Sequence, residues 1–337
     1  MTMNMRDLTG SQSSAAGEAR HADADRLWSI AAVERETGLA KDTLRVWERR
    51  YGFPTPSRDA FGERVYPLQQ VERLRVLKRL LDVGWRPGRL MKMSAEEVEA
   101  LAQGGAASPT GTVAPTAVQA EPQEALEPFM DLIRHHDSAG LHRELGRMLS
   151  RLGTFRFVTD LLAPLNVAVG DAWVRGRLEV FEEHAYTEEV QVVMRQAISQ
   201  IPVPQTAARP SVLLSTFPGE PHGLGLLMVE ALFRLEGCAC VSLGVQTPLL
   251  DIVRASQAHQ ADIVALGFSG ILGAQQVLEG LGDLRARLPS AVEVWAGGSA
   301  SVLARKPVPR VLVVQDLRGI AAEVRRWRDA GETDGLA

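Results

Sequence analysis

A histidine stands in the run Pro218-Gly219-Glu220-Pro221-His222-Gly223-Leu224-Gly225. Neutral imidazole is a strong ligand for a transition metal. A carboxylate two residues earlier can take the other ring proton and fix the tautomer. Gly223 and Gly225 let a large flat ligand come close to the backbone. A helix-capping histidine in an unliganded domain is the other reading, and the loop alone does not choose between them. Farther on, Ser269-Gly270-Ile271 and Gly297-Gly298 put small residues where a buried ligand tail could pass. A second group is basic. Lys41, Arg45 and Arg49 recur at i, i+4 and i+8, one face of a helix suited to a major groove, with arginine forks that match guanine edges. Thr43 and Arg50 lie on the same segment. Arg58, Arg64 and Tyr66 follow around Gly62, a candidate hairpin that would present all three to phosphates.

The elements that must position these groups can be read from apolar spacing. From Ser211 onward, five short apolar runs (SVLLSTF, CACVSLGV, DIVALGFS, VEVWAGG and RVLVVQD) alternate with helical segments at 224–235, 249–259, 275–288, 299–304 and 320–328. Continuous apolar runs separated by helices indicate a parallel sheet covered on both faces, here a flavodoxin-like, doubly wound α/β domain. Ligands of such domains sit at the carboxyl ends of the strands. Upstream, apolar residues recur at helical spacing from Phe129 to Ile198, which predicts a bundle of three or four helices. The N-terminal part predicts a helix from Ser29 to a glycine turn at Gly38, a second over 41–51 with Leu44, Trp47 and Tyr51 inward, the hairpin, and a third over 71–81. The expected organisation is a disordered arm (1–25), a winged helix-turn-helix (26–103), a proline-rich linker (104–123), a helical cap (124–205) and a Rossmann-like domain (206–337).

Composition adds bounds. The chain has 337 residues, 45% of them hydrophobic and 23% charged, ordinary for globular protein and enough for several domains. Its net charge of −4 conceals an asymmetry: residues 26–92 hold 15 Lys/Arg against 8 Asp/Glu, while both flanks are acidic. A basic segment on an acidic remainder points to polyanion binding confined to that segment. No run approaches the roughly 20 apolar residues of a membrane helix, and the start lacks a secretory signal's apolar core. Cys238 and Cys240 read as small core residues of a cytoplasmic protein.

Several of these motifs resemble known families. The run TGLAKDTLRVWERRYGFPTPSRDAFGERVYPLQQVERL resembles the DNA-binding domain of the MerR family, through its TLRxWERRYG and R-x-Y elements, over about residues 27–92. Ala40 departs from the serine that often caps the recognition helix there. The set E-x-H-x-x-G, S-x-I and GG resembles the D-x-H-x-x-G, S-x-L and GG signature of cobalamin-binding domains of the methionine synthase and mutase type. Glu220 replaces aspartate and Ile271 replaces leucine. That resemblance implies His222 as the lower axial ligand of cobalt, with Glu220 behind it and Gly225, Ser269, Gly297 and Gly298 around the displaced nucleotide tail. Trp173, followed after nine residues by Glu183-His184, resembles the W-x9-E-H motif of CarH-type (LitR-type) light-dependent repressors, where a helical bundle covers the upper corrin face.

The combined resemblance spans about residues 27–330. It implies a cytoplasmic repressor whose partners are a double-stranded DNA operator, further copies of itself as dimer or tetramer, and a possible protein antirepressor. The implied cofactor is cobalamin, adenosylcobalamin foremost. Val174 stands where light-sensing members place a histidine that ligates cobalt after photolysis, and valine cannot do so. Two alternatives stay open: a regulator sensing another tetrapyrrole or redox state, and a corrinoid-binding enzyme subunit or methyl carrier. The DNA-binding segment and the lack of sequence for a substrate barrel count against the second.

Overall fold

A computed structural model describes residues 27–82, 84–103, 122–202 and 209–334. The arm expected over 1–25 lies outside them, as does the expected linker apart from its last two residues. The described residues fall into two compact units, one on either side of 104–121.

The first unit opens with β1 (Leu27–Ser29), a strand that the sequence does not predict and that takes in Ser29, the expected start of the first helix. α1 (Ile30–Thr37) starts at Ser29, whose hydroxyl accepts from the Ala32 N–H at 3.2 Å, and stops at Gly38 with φ 67°. α2 (Lys41–Tyr51) has the predicted bounds and stops at Gly52, again left-handed at φ 71°. Ala40 caps nothing with its side chain. Glu34 of α1 supplies the missing acceptor, taking the Lys41 N–H at 3.0 Å. β2 (Ser57–Arg58) and β3 (Arg64–Pro67) make the expected hairpin, and β1 adds to it in the antiparallel order β1-β3-β2. α3 (Leu68–Asp82), α4 (Pro87–Leu90) and α5 (Ala95–Gln103) complete the unit. Val33, Leu44, Trp47, Tyr66, Val71, Leu74, Leu77, Leu80 and Leu90 form its core.

The second unit begins with the expected bundle: α6 (Pro122–Arg134), α7 (Ser138–Arg156), a π-helical stretch (Phe157–Leu162), α8 (Ala163–Val174) and α9 (Val180–Gln200). Gly153, at φ 72° and ψ 158°, kinks the run. By length and hydropathy alone, Ser138–Val174 suits a membrane span. It is instead kinked at Gly153, passes through the π-helical stretch, and buries Leu141, Leu145, Phe157, Leu162 and Leu165 in the bundle.

The strands β4 (Ser211–Ser215), β5 (Ala239–Ser242), β6 (Ile263–Gly267), β7 (Glu293–Gly297) and β8 (Val311–Val314) form one parallel sheet in the order β5-β4-β6-β7-β8. Between them run α10 (Leu224–Leu235), α11 (Leu249–Ala258), α12 (Ala274–Arg287) and α13 (Ser301–Arg305), and α14 (Ile320–Asp334) closes the chain. The period of two along each strand explains the continuous apolar runs. Val212, Leu214, Ile263, Ala265 and Trp295 face a core shared with α10, α14 and the bundle. Leu213, Val264, Leu266, Val294 and Ala296 face a second core with α11, α12 and α13. The bundle is tied to the sheet domain by polar links as well. Tyr186 of α9 donates to Asn166 of α8, whose amide reaches the Met228 sulfur on α10 at 3.7 Å, and Arg318 pairs with Asp160 at 2.8 Å.

Cys238 is buried and Cys240 half-buried, and both are free thiols. Burial pushes the Cys238 thiol up to about 12 and the Cys240 thiol up as well, which makes both poor nucleophiles and metal ligands.

Candidate cofactor site and nucleic-acid interface

In this strand order the switch point lies between β4 and β6, whose following loops diverge to opposite sides. His222 lies in the loop after β4 and Ser269 follows β6, so the two flank that crevice at the carboxyl edge. Glu220 joins them. Its side chain is buried, and its Oε1 lies 2.7 Å from His222 Nδ1. It also accepts from the Ser269 N–H at 2.8 Å and from the Ser269 hydroxyl at 2.9 Å. Burial would raise the Glu220 carboxyl. The hydrogen bond from His222, then those from the Ser269 amide and hydroxyl, outweigh burial and hold it below the usual carboxylate range.

An ionised carboxylate only accepts, so the hydrogen between Glu220 and His222 belongs to Nδ1. The Ser269 oxygen, 3.0 Å from Nδ1, accepts a share of the same N–H. In the neutral ring the lone pair then sits on Nε2, on a side chain that is 55% exposed. One donor of this kind, oriented by a buried carboxylate, is what a single axial position on a preassembled metal macrocycle requires. Among the described residues no three His, Cys, Asp or Glu side chains gather to bind a bare metal ion.

The glycines divide by role. A Cβ at Gly225, in the first turn of α10, would meet nothing within 4 Å, so that face is open. Gly298 sits at φ 114°, and a Cβ there would fall 2.2 Å from the Phe268 carbonyl oxygen. Backbone crowding between the ends of β6 and β7 therefore demands glycine at 298, and both strand ends are left bare of side chains there.

Trp173, Glu183 and His184 lie on the bundle. Trp173 ends α8 half-buried, and its indole Nε1 is buried with no hydrogen-bond partner among the described residues. It packs against the same apolar cluster as Leu224, the residue two after His222. Glu183, in the first turn of α9, accepts from the Thr187 hydroxyl at 2.8 Å, and His184 is 71% exposed beside it. Other bundle histidines are engaged: His136 with Glu182 and His142 with Glu189, each at 2.9 Å.

The basic group is placed as expected in part. Arg45, Arg49 and Arg50 are exposed on α2, opposite buried Leu44 and Trp47, while Thr43 and Lys41 are half-buried. Lys41 is paired with Glu34 at 3.5 Å, and Arg45 with Asp42 at 3.0 Å. Tyr66 is a correction. It was expected to face phosphates, but its side chain is fully buried, hydroxyl included. The sheet strand β3 leads directly into α3, so both Val65 and Tyr66 are enclosed, and burial raises the phenol's pKa. Arg64 is half-buried and fixed, its Nε donating to Glu48 of α2 at 2.8 Å. That hydrogen bond, with the charge of Glu48, raises the guanidinium's pKa. Spacing could not show this pairing across 16 residues. Nor did it single out the open cleft of about 660 Å³ where Arg86, Arg89 and Lys92 join Arg50, Tyr51 and Met93.

Comparisons with known proteins bear on all three parts. Residues 28–97 match the model of the MerR HTH family regulatory protein, and residues 125–198 and 210–314 each match a B12 binding domain. The chain is 30% identical to the HTH-type transcriptional repressor CarH of Myxococcus xanthus over 278 residues, 82% of this chain and 91% of that one. It is 29% identical to the HTH-type transcriptional repressor CarA of the same organism, over 80% of this chain and 86% of that one. Methionine synthase of Mycobacterium leprae is 30% identical over 129 residues, 37% of this chain and 10% of the synthase. The chain therefore belongs to the CarH family and is a cobalamin-dependent, DNA-binding transcriptional regulator.

Proposed function

We propose that the protein is a repressor rather than an enzyme, that His222 is the lower axial ligand of bound adenosylcobalamin, and that loss of the adenosyl group in light releases DNA. The observation that carries this reading is the Ser269–Glu220–His222 constellation, which orients an imidazole at the switch point of a B12-binding fold. The residues fit the group on other grounds too. Trp173 holds a buried indole N–H without a partner among the described residues, and Gly225 fronts open space. When bound, adenosylcobalamin would supply a cobalt–carbon bond that visible light breaks.

The chain's own residues do the rest. Glu220 and Ser269 hold the imidazole; Trp173, Glu183 and His184 stand on the bundle as contacts for the upper side. Removing an upper partner would strip packing from Trp173 and from the N-terminal turn of α9, and an interface between copies resting on that bundle would weaken. Each copy lost from an assembly removes one half-site of base and phosphate contacts, so DNA affinity falls steeply. Exposed Arg45 and Arg49 would read base edges and Arg58 a phosphate, in the cytoplasm, where the DNA is.

Val174 shapes the outcome in light. Its side chain offers no donor atom, so the position after Trp173 would hold no metal, and the illuminated protein should show no bis-histidine spectrum. Size-exclusion chromatography of the adenosylcobalamin-loaded protein in darkness and after illumination, with absorption spectra, tests both halves. The expected result is an oligomer in the dark and a smaller species in light. An assembly indifferent to cobalamin and light would refute the switch. A bis-histidine photoproduct would refute the role given to Val174, and His184 would be the first residue to replace.

A further inference from the structure

The wing carries an aromatic side chain that neither the motif nor the core accounts for. Phe61 is 91% exposed at the tip of the β2–β3 hairpin. The tip is not a loose loop. Asp59 Oδ1 accepts from the N–H groups of both Phe61 and Glu63 at 2.9 Å, and the Asp59 carbonyl accepts from Gly62 N–H at 3.0 Å. Gly62 takes φ 81°, the left-handed position that lets so short a hairpin close. The Arg58 guanidinium donates to the Gly62 carbonyl. The ring is therefore held out on a braced turn, at the hydration cost of an exposed aromatic.

Charge alone does not account for this tip: Asp59 and Glu63 offset Arg58 and Arg64, and Arg64 is already committed to Glu48, which leaves Arg58 for a flanking phosphate and gives the ring no part in a charge contact. That same ion pair fixes the hairpin to α2, so whatever α2 engages must lie alongside the wing. We propose that Phe61 is an apolar DNA contact, inserted into the minor groove beside the site read by α2, where it wedges against or partly unstacks one base step. Apolar wedges of this kind kink the duplex and favour flexible pyrimidine–purine steps, which gives sequence preference without a base hydrogen bond. The proposal rests on α2 being the reading helix.

The test uses the full-length, adenosylcobalamin-loaded protein in darkness and a duplex selected by that protein from a randomised pool. 2-Aminopurine replaces single adenines along the duplex, because its fluorescence rises when a base unstacks. Phe61→Ser should lower affinity about tenfold, abolish the fluorescence rise at one step and leave the salt slope unchanged, since no phosphate contact is lost. Phe61→Leu should keep most of the affinity. Arg45→Ala on the same duplex is the separate arm for α2: if it costs specific and random DNA equally, the base-reading helix is wrong, whatever Phe61 does. Wild-type affinity and fluorescence in Phe61→Ser would overturn the wedge and assign the ring to a protein partner. A loss accompanied by a shallower salt slope would overturn it in favour of a phosphate-side role.

Discussion

His222→Ala should lower cobalamin affinity by about 100-fold or more, because it deletes the coordinating atom itself, whereas loss of an outer partner alone costs about 10–100-fold. The fold should survive. His222 is in a loop and more than half exposed, and Glu220 keeps both hydrogen bonds from Ser269. Removing one hydrogen bond to a charged group costs about 1.5–3 kcal/mol. Glu220→Gln should cost no more than the outer-partner loss of about 10–100-fold: an amide can accept from Nδ1–H, but it brings an N–H₂ group into a buried position furnished with donors. Titration of the apoprotein with adenosylcobalamin, followed by absorbance in darkness, checks both variants. Unchanged affinity and spectrum in His222→Ala would remove that residue from the site.

Gly298→Ala should destabilise the second unit by about 3 kcal/mol or more. A Cβ would have to occupy space 2.2 Å from the Phe268 carbonyl oxygen, at a φ of 114° that L residues rarely adopt. Neither neighbour can yield easily, because Phe268 N–H is bonded to the Gly297 carbonyl at 2.9 Å and the Phe268 carbonyl accepts from Ala300 at 3.2 Å. Gly225→Ala is the contrasting case. It faces open space in a helix, so stability should hold or rise by up to about 1 kcal/mol, while cobalamin affinity falls if the ligand covers that face. Urea unfolding of both variants without cobalamin separates the two glycines. A loss below about 1 kcal/mol at Gly298 would mean that the β6 and β7 ends relax apart.

The sequence made some parts of this molecule legible and concealed others, for reasons visible in particular residues. The five sheet strands were readable because burial on both faces makes each a continuous apolar run, and α10 and α2 were bounded by turn residues at both ends or by a clean apolar face. β1 was not readable. Three residues carry no alternation, and their pairing with β3 is forty residues away. Tyr66 was misplaced because an R-V-Y alternation suggests one face out, yet a four-residue strand running straight into α3 is covered on both sides. The kink at Gly153 and the π-helical stretch Phe157–Leu162 leave the apolar spacing nearly helical, so spacing reads through them.

The candidate site shows the same division. Glu220 and His222 are two residues apart, and a local motif suffices to pair them. Ser269 joins from 49 residues away through a hydrogen bond that only the parallel pairing of β4 with β6 creates. The Glu48–Arg64 pair, which decides that the wing is fixed to α2, is likewise a product of the folded hairpin. Phe61 is the reverse case. The sequence displays it plainly between Ala60 and Gly62, and only its exposure on a braced turn marks it as unusual.

Corrinoid occupancy should set DNA affinity. Binding isotherms of the full-length protein on its selected duplex, in darkness, with and without saturating adenosylcobalamin and at one fixed salt concentration, test it most directly. Affinity should rise at least about tenfold on loading, since each added half-site contributes its own contacts, and the rise should vanish in His222→Ala. The same affinity with and without cobalamin in the wild-type protein would contradict the account.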